Sequence, residues 1–169
     1  MPDTLDLTAT ELARNEREAV IPILLLAEPS RSALRWSLDH LSDTVYRFDE
    51  GSELVGAATM RWNDEPAELV ELAVAESLQG RGVGRRVVAW LVAEAARRGV
   101  RAVEVGTRST SLGNIAFYQK CGFRPAEVRR DYFWYYPEPV VEHGILVRDM
   151  LVFRHDLAPE PDRRRGRRR

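Results

Sequence analysis

The sequence predicts an α/β domain of the α+β kind, with a mixed, mostly antiparallel central sheet flanked by helices. Three observations predict it. The chain has 169 residues, of which 44% are hydrophobic and 30% charged, which suits one domain with a real core. Short β-rich runs separated by turn residues fill positions 44–75. Two runs with apolar residues at helical spacing then interleave with further β-rich runs, without the regular alternation of a doubly wound nucleotide fold.

Thr8 to Leu26 is expected as a helix with Thr8 or Thr10 near its cap, so no clear first strand precedes it. Ser30 to Leu41 reads as a second helix, because Leu34, Leu38 and Leu41 share a face and Ser30 can cap it. Thr44–Asp49 and Glu53–Trp62 read as strands around the turn Glu50-Gly51-Ser52. A second turn at Asn63-Asp64-Glu65-Pro66 leads to a strand from Glu68 to Ala75. Gly82 to Arg98 carries a helical stripe of Val83, Val87, Val88, Leu91, Val92 and Ala95, and Gly99 ends it. Ala102–Thr107 is a strand, and Leu112–Lys120 is a short helix stopped by Cys121-Gly122. Arg124–Tyr132 and Leu146–Leu157 read as strands on either side of Tyr136-Pro137-Glu138-Pro139. Residues 158–169 hold two prolines and an arginine run and are expected as a disordered tail, which leaves 1–157 as the domain.

Composition narrows the function classes. No apolar run reaches the roughly 18 residues of a membrane span. The longest, Val20 to Ala27, contains Pro22. The start Met-Pro-Asp-Thr lacks the basic region of a secretory signal, so a cytoplasmic location is expected. Cys121 is the only cysteine, which excludes an intramolecular disulfide and a multi-cysteine metal site. His40, His143 and His155 show no metal-ligand spacing, and no metal is expected. The net charge of −1 conceals a tail of six arginines after an acidic body. The body suits a cationic or amine-bearing substrate. The tail leaves contact with nucleic acid as a minor alternative.

The strongest local signal is Gln79-Gly80-Arg81-Gly82-Val83-Gly84-Arg85-Arg86, between a strand and the best-patterned helix. Glycines let backbone approach a ligand, and a helix start offers unpaired N–H groups and a positive dipole end. With Arg81, Arg85 and Arg86 this makes a pyrophosphate cradle. It lacks the Gly-Lys-Ser/Thr of a Walker loop, and Arg85 stands where a dinucleotide fingerprint needs glycine.

These residues, together with Asn114 to Phe123, resemble the GNAT superfamily of N-acyltransferases. The family signature Arg/Gln-x-x-Gly-x-Gly/Ala is met by Gln79, Gly82 and Gly84, and its Tyr then Gly-Phe element by Tyr118, Gly122 and Phe123. The resemblance covers about residues 44 to 157. It implies a V-shaped cleft between the two central strands that takes acetyl-CoA as cosubstrate. It also implies pantetheine contacts from Leu72, Ala73 and Val74, one of whose N–H groups polarises the thioester carbonyl. Pyrophosphate contacts from Gly80 to Arg85 follow. The segments Tyr136 to Pro139 and Gly144-Ile145-Leu146-Val147-Arg148-Asp149-Met150 resemble a GNAT subgroup with Tyr-Pro-Glu-Pro and Gly-Ile-x-x-Arg-Asp-Met elements.

Acyl transfer to an amine needs a base for the ammonium and an acid for the thiolate. The family places a tyrosine at Tyr118 as the acid. Glu71 and Glu104 are the two candidate bases, each on a strand facing away from its immediate neighbours. Asn114 shares a helix face with Tyr118 and could bind pantetheine or cap the helix; in many relatives the asparagine stands where this chain has Ser111. The aromatic segment Tyr132 to Tyr136, with Glu138 or Glu142, could receive the amine by cation–π and charge contacts, or serve as a lid or a homodimer contact. The expected function is therefore N-acetylation of a primary amine of a small molecule or of a protein or peptide. The alternative is a non-catalytic acyl-CoA-binding or regulatory module on the same fold.

Overall fold

A computed structural model describes residues 6–157; the expected disordered tail, 158–169, lies outside the described residues. The first elements are β1 (Leu7–Glu11), a 3-10 segment (Arg14–Val20), α1 (Ile21–Leu24) and α2 (Arg31–His40). Then come β2 (Thr44–Glu50), β3 (Glu53–Arg61), β4 (Ala67–Val74), α3 (Val83–Arg97) and β5 (Ala102–Arg108). The last are α4 (Leu112–Lys120), β6 (Arg124–Arg129), β7 (Val141–Glu142), β8 (Ile145–Leu146) and β9 (Met150–Asp156). Seven strands form one sheet in the order β1-β2-β3-β4-β5-β9-β6, and β7 and β8 form a separate hairpin. Every neighbouring pair is antiparallel except β4 and β5.

The expected helix over Thr8–Leu26 is corrected. Leu7 to Glu11 is a strand paired along its length with β2, as the β-branched Thr8 and Thr10 favour. Helical backbone starts only at Arg14, and Pro22 sits at the start of α1, where its missing N–H costs nothing. The second helix is as expected: the Ser30 hydroxyl accepts from the Ala33 amide at 3.3 Å. The last strand is shorter than expected, because Ile145 and Leu146 pair with Val141 and Glu142 instead of extending it.

Two cores cover the two faces of the sheet. The larger takes the α3 stripe (Val83, Val87, Val88, Leu91, Ala95) with Phe48, Met60, Leu69, Val105, Tyr118 and Phe153. The other packs Leu24 of α1 and Leu34 and Leu38 of α2 on Val45, Ala57 and Ala73.

Two backbone features on β4 prepare the site. Thr59 pairs with Glu71 and Met60 with Leu69, so Val70 is an extra residue, a β-bulge. Leu69 faces the larger core, yet Ala73, four residues on, faces the other. The bulge thus turns Glu71 and Ala73 toward α1 and α2. Second, β4 and β5 pair at only three positions, Ala67–Val103, Glu68–Glu104 and Leu69–Val105. Beyond them β4 runs to Val74 and β5 to Arg108 unpaired with each other, which opens the sheet into a V.

Candidate active site

The open V is the floor of a cleft of about 2200 Å³. Its β4 edge is built from alternation. The amides of Glu71 and Ala75 donate to Thr59 Oγ1 (3.1 Å) and to the Val55 carbonyl (2.9 Å), both on β3. The backbone groups of Leu72 and Val74 therefore point the other way, toward β5 and the cleft. Ala73 points to β3, as its carbonyl, 3.1 Å from where a side chain on Gly56 would begin, also indicates. Of the three expected pantetheine contacts, two thus face the cleft with backbone groups.

The glycine loop closes one end. Gln79 Nε2 donates to the Val74 carbonyl at 3.1 Å and ties the loop to the strand. Gly80 and Gly82 hold φ of 74° and 86°, which only glycine adopts without strain. Gly82 caps α3, and no side chain caps the first-turn amides of this 15-residue helix. Those amides and the helix dipole present positive charge. Gln79, Gly80, Gly82, Gly84 and Arg85 line the cleft, whereas Arg81 does not and the Val83 side chain is in the core. Arg86 is ion-paired with Glu50. Gly84 also serves packing: a β-carbon there would lie 3.2 Å from the Phe117 ring.

Tyr118 is held by a helix stop. The amides of Gly122 and Phe123 donate to the Gln119 and Tyr118 carbonyls, both at 3.0 Å, with Gly122 at φ 91°. This is a Schellman ending, and the Phe123 ring packs on Tyr118 at 5.9 Å between centroids. The spacing Tyr-x-x-x-Gly-Phe is thus one structural unit that orients the tyrosine. Tyr118 is 7% exposed, lines the cleft, and its hydroxyl bonds to no described residue. Burial, then the neighbouring Glu71, pushes the phenol above its ordinary pKa. Asn114 also lines the cleft, its amide 3.4 Å from Thr107 Oγ1 on β5.

The two candidate bases separate. Glu71 lines the cleft on the opened part of β4, and its carboxylate accepts from Ser37 Oγ at 3.4 Å. Burial, then Glu28, pushes its pKa up to about 7 against the Ser37 bond and Arg108. Glu104 lies on the paired stretch of β5, opposite Glu68 and Arg154, 3.4 Å from Arg154 Nη1. It does not line the cleft.

The aromatic segment forms the far wall, with Tyr132 to Tyr136 lining the cleft. Glu138 does not line it, and Glu142 is an anchor: its carboxylate accepts from Arg108 Nη1 (2.7 Å), Thr110 Oγ1 (2.6 Å) and Ser111 Oγ (3.4 Å). Sequence reasoning missed Ser37, Thr59, Glu28 and Arg108. None carries a local motif; each enters through contacts between elements far apart in the chain.

Among the described residues, no group of three or more His, Cys, Asp or Glu is placed to hold a metal. No helix of the described residues is long and apolar enough to cross a membrane.

The profile of the acetyltransferase (GNAT) family matches residues 10–123. The chain is 34% identical over 149 residues to the uncharacterized N-acetyltransferase YvbK of Bacillus subtilis (strain 168), covering 87% of this chain and 95% of the relative. A crystal structure of a Bacillus subtilis acetyltransferase in complex with CoA aligns with a TM-score of 0.80 at 32% identity, over 90% of this chain and 100% of the other. A GNAT family acetyltransferase from Elizabethkingia anophelis with acetyl-CoA bound aligns with a TM-score of 0.80 at 29% identity, over 90% and 99%.

Proposed function

This chain belongs to the acetyltransferase (GNAT) family, and from that premise we propose that it moves the acetyl group of acetyl-CoA directly onto a primary amine. One observation carries the reading. A phosphate-suited helix start, strand amides facing an open V, a buried phenol and a buried carboxylate all border one cleft. In this reading the pyrophosphate sits on Gly80, Gly82 and the first turn of α3, with Arg85 adding charge. The pantetheine arm pairs with the backbone of Leu72 and Val74, and Asn114 reaches it from α4. An N–H of that strand holds the developing oxyanion.

Glu71 takes a proton from the ammonium, and the amine attacks the thioester carbon. The C–S bond breaks as the tetrahedral species collapses, and Tyr118 protonates the sulfur. The nitrogen sheds two protons in all: the one taken by Glu71 leaves to solvent, and the other restores Tyr118 after it has given its own proton to the sulfur. A carboxyl titrating at about 7 is matched to this work, since it is partly ionised at neutral pH yet basic enough to accept the proton. In this reading Glu104 is not the base, because it does not line the cleft and its carboxylate lies 3.4 Å from Arg154 Nη1.

The test is calorimetric titration of acetyl-CoA into wild type and Gly82→Trp. Open space surrounds a β-carbon at Gly82, so the indole displaces ligand rather than protein, although φ of 86° adds local strain. Binding is expected to weaken by at least about 100-fold, or about 2.7 kcal/mol, with the cooperative melt retained. Equal binding by both proteins moves the coenzyme elsewhere, and no binding to wild type removes the reading.

A further inference from the structure

The acceptor end of the cleft shows a cation that is already spoken for. Arg108 lines the cleft, and its charge acts on Glu71 and on Tyr135. All three of its guanidinium nitrogens are engaged: Nη1 with Glu142 Oε1 (2.7 Å), and Nε and Nη2 with the Tyr136 hydroxyl (3.2 and 2.9 Å). The guanidinium carbon also lies 5.5 Å from the Tyr136 ring centroid. Glu142 is in turn fixed by the fully buried Thr110 and by Ser111, the N-cap of the helix that carries Tyr118. Such charge-assisted bonds are among the strong ones, so an incoming carboxylate meets a guanidinium whose charge Glu142 already balances.

The surroundings favour a different guest. Glu28 and Glu71 line the cleft without an ion-pair partner among the described residues. Trp36 and Tyr135, 55% and 49% exposed, line it as well and offer aromatic surface. A bare ammonium with an apolar body gains from both; a carboxylate on that body meets Glu28 and a partly ionised Glu71, and Arg108, the cation whose charge reaches Glu71 and Tyr135, is already paired with Glu142.

We propose that this site selects small primary amines with an apolar or aromatic body and no carboxylate, and that Glu142 sets the selection by masking Arg108. The proposal rests on the acetyl-transfer reading above and adds the substrate class. Selection here works by withholding a partner from the wrong substrate rather than by adding one for the right substrate.

The experiment compares matched acceptors with and without a carboxylate, phenethylamine against phenylalanine and tryptamine against tryptophan. For each, kcat/KM is measured in wild type, Glu142→Gln, Glu142→Ala and Glu142→Gln/Arg108→Gln. Wild type is expected to favour the carboxylate-free partner by more than about tenfold. Glu142→Gln, and more strongly Glu142→Ala, narrow that preference by about tenfold through a gain on the amino acid, with the KM for acetyl-CoA unchanged. The double variant loses the gain. A loosened fold lowers all rates together and does not produce a gain, so it is told apart. Wild type using both partners equally, or variants losing equally on both, overturns the proposal while leaving acetyl transfer intact. Failure of wild type on every primary amine would instead sink the parent reading, and this one with it.

Discussion

Tyr118→Phe is expected to lower kcat by about 10²–10⁴-fold while acetyl-CoA binds as tightly as in wild type. The hydroxyl is the only group removed. It bonds to no described residue, and the ring keeps its edge contacts to Phe117 and Phe123 at 5.1 and 5.9 Å, so little stability is lost. A phenol raised by burial stays protonated throughout the working range and gives up its proton only as negative charge builds on the departing sulfur. Pre-steady-state mixing shows the acid step directly, because product amide should form slowly although the binary complex forms at the normal rate. A binding or regulatory module of the same fold would show no difference between the two proteins in any assay.

Glu71→Gln is expected to lower kcat/KM by about 10²–10⁴-fold near neutral pH and to remove the rising limb of its pH profile. The sign follows from the titration at about 7: the proton must leave Glu71 before it can accept one from the ammonium, so wild-type kcat/KM rises as pH passes upward through that value. Stability moves the other way. The folded pKa is raised above its ordinary 4.5, so the folded state holds this proton more tightly than the unfolded chain. Its contribution to stability is present below the ordinary carboxyl range and is lost as pH rises through about 7. The glutamine variant escapes that loss. Its melting temperature should exceed wild type at pH 8 and converge with it at pH 4. A variant that is slower yet more stable at pH 8 separates catalysis from folding; one that is slower and less stable would assign Glu71 to the scaffold.

The helices α2, α3 and α4 and the glycine loop were legible in the sequence because their determinants are local. Gly82 and Gly99 bracket α3, and the Gly99 ending repeats the Schellman bonds seen at Gly122, with Val100 donating to the Ala95 carbonyl at 3.0 Å. The strand β1 was not legible, because five residues of alternating character declare themselves only against the neighbouring β2. Glu71 and Glu104 looked equivalent for a related reason. Each is a strand glutamate between apolar neighbours, and alternation treats them alike. What separates them is the extra residue at Val70 and the end of pairing at Leu69 and Val105, which leave Glu71 above the opening and Glu104 below it. Neither feature leaves a mark in the sequence around either glutamate. The masking of Arg108 is likewise a contact across 34 residues, written in no motif.

Direct transfer within a ternary complex is tested most directly by rapid quench of enzyme with acetyl-CoA, with and without a panel of primary amines, followed by intact-mass spectrometry. Free CoA is expected to appear only when an amine is present, one for each acetylated amine, with the protein mass unchanged at every time point. Release of CoA without an amine, with the protein one acetyl group heavier, would contradict the account by showing that the acetyl group first rests on the enzyme.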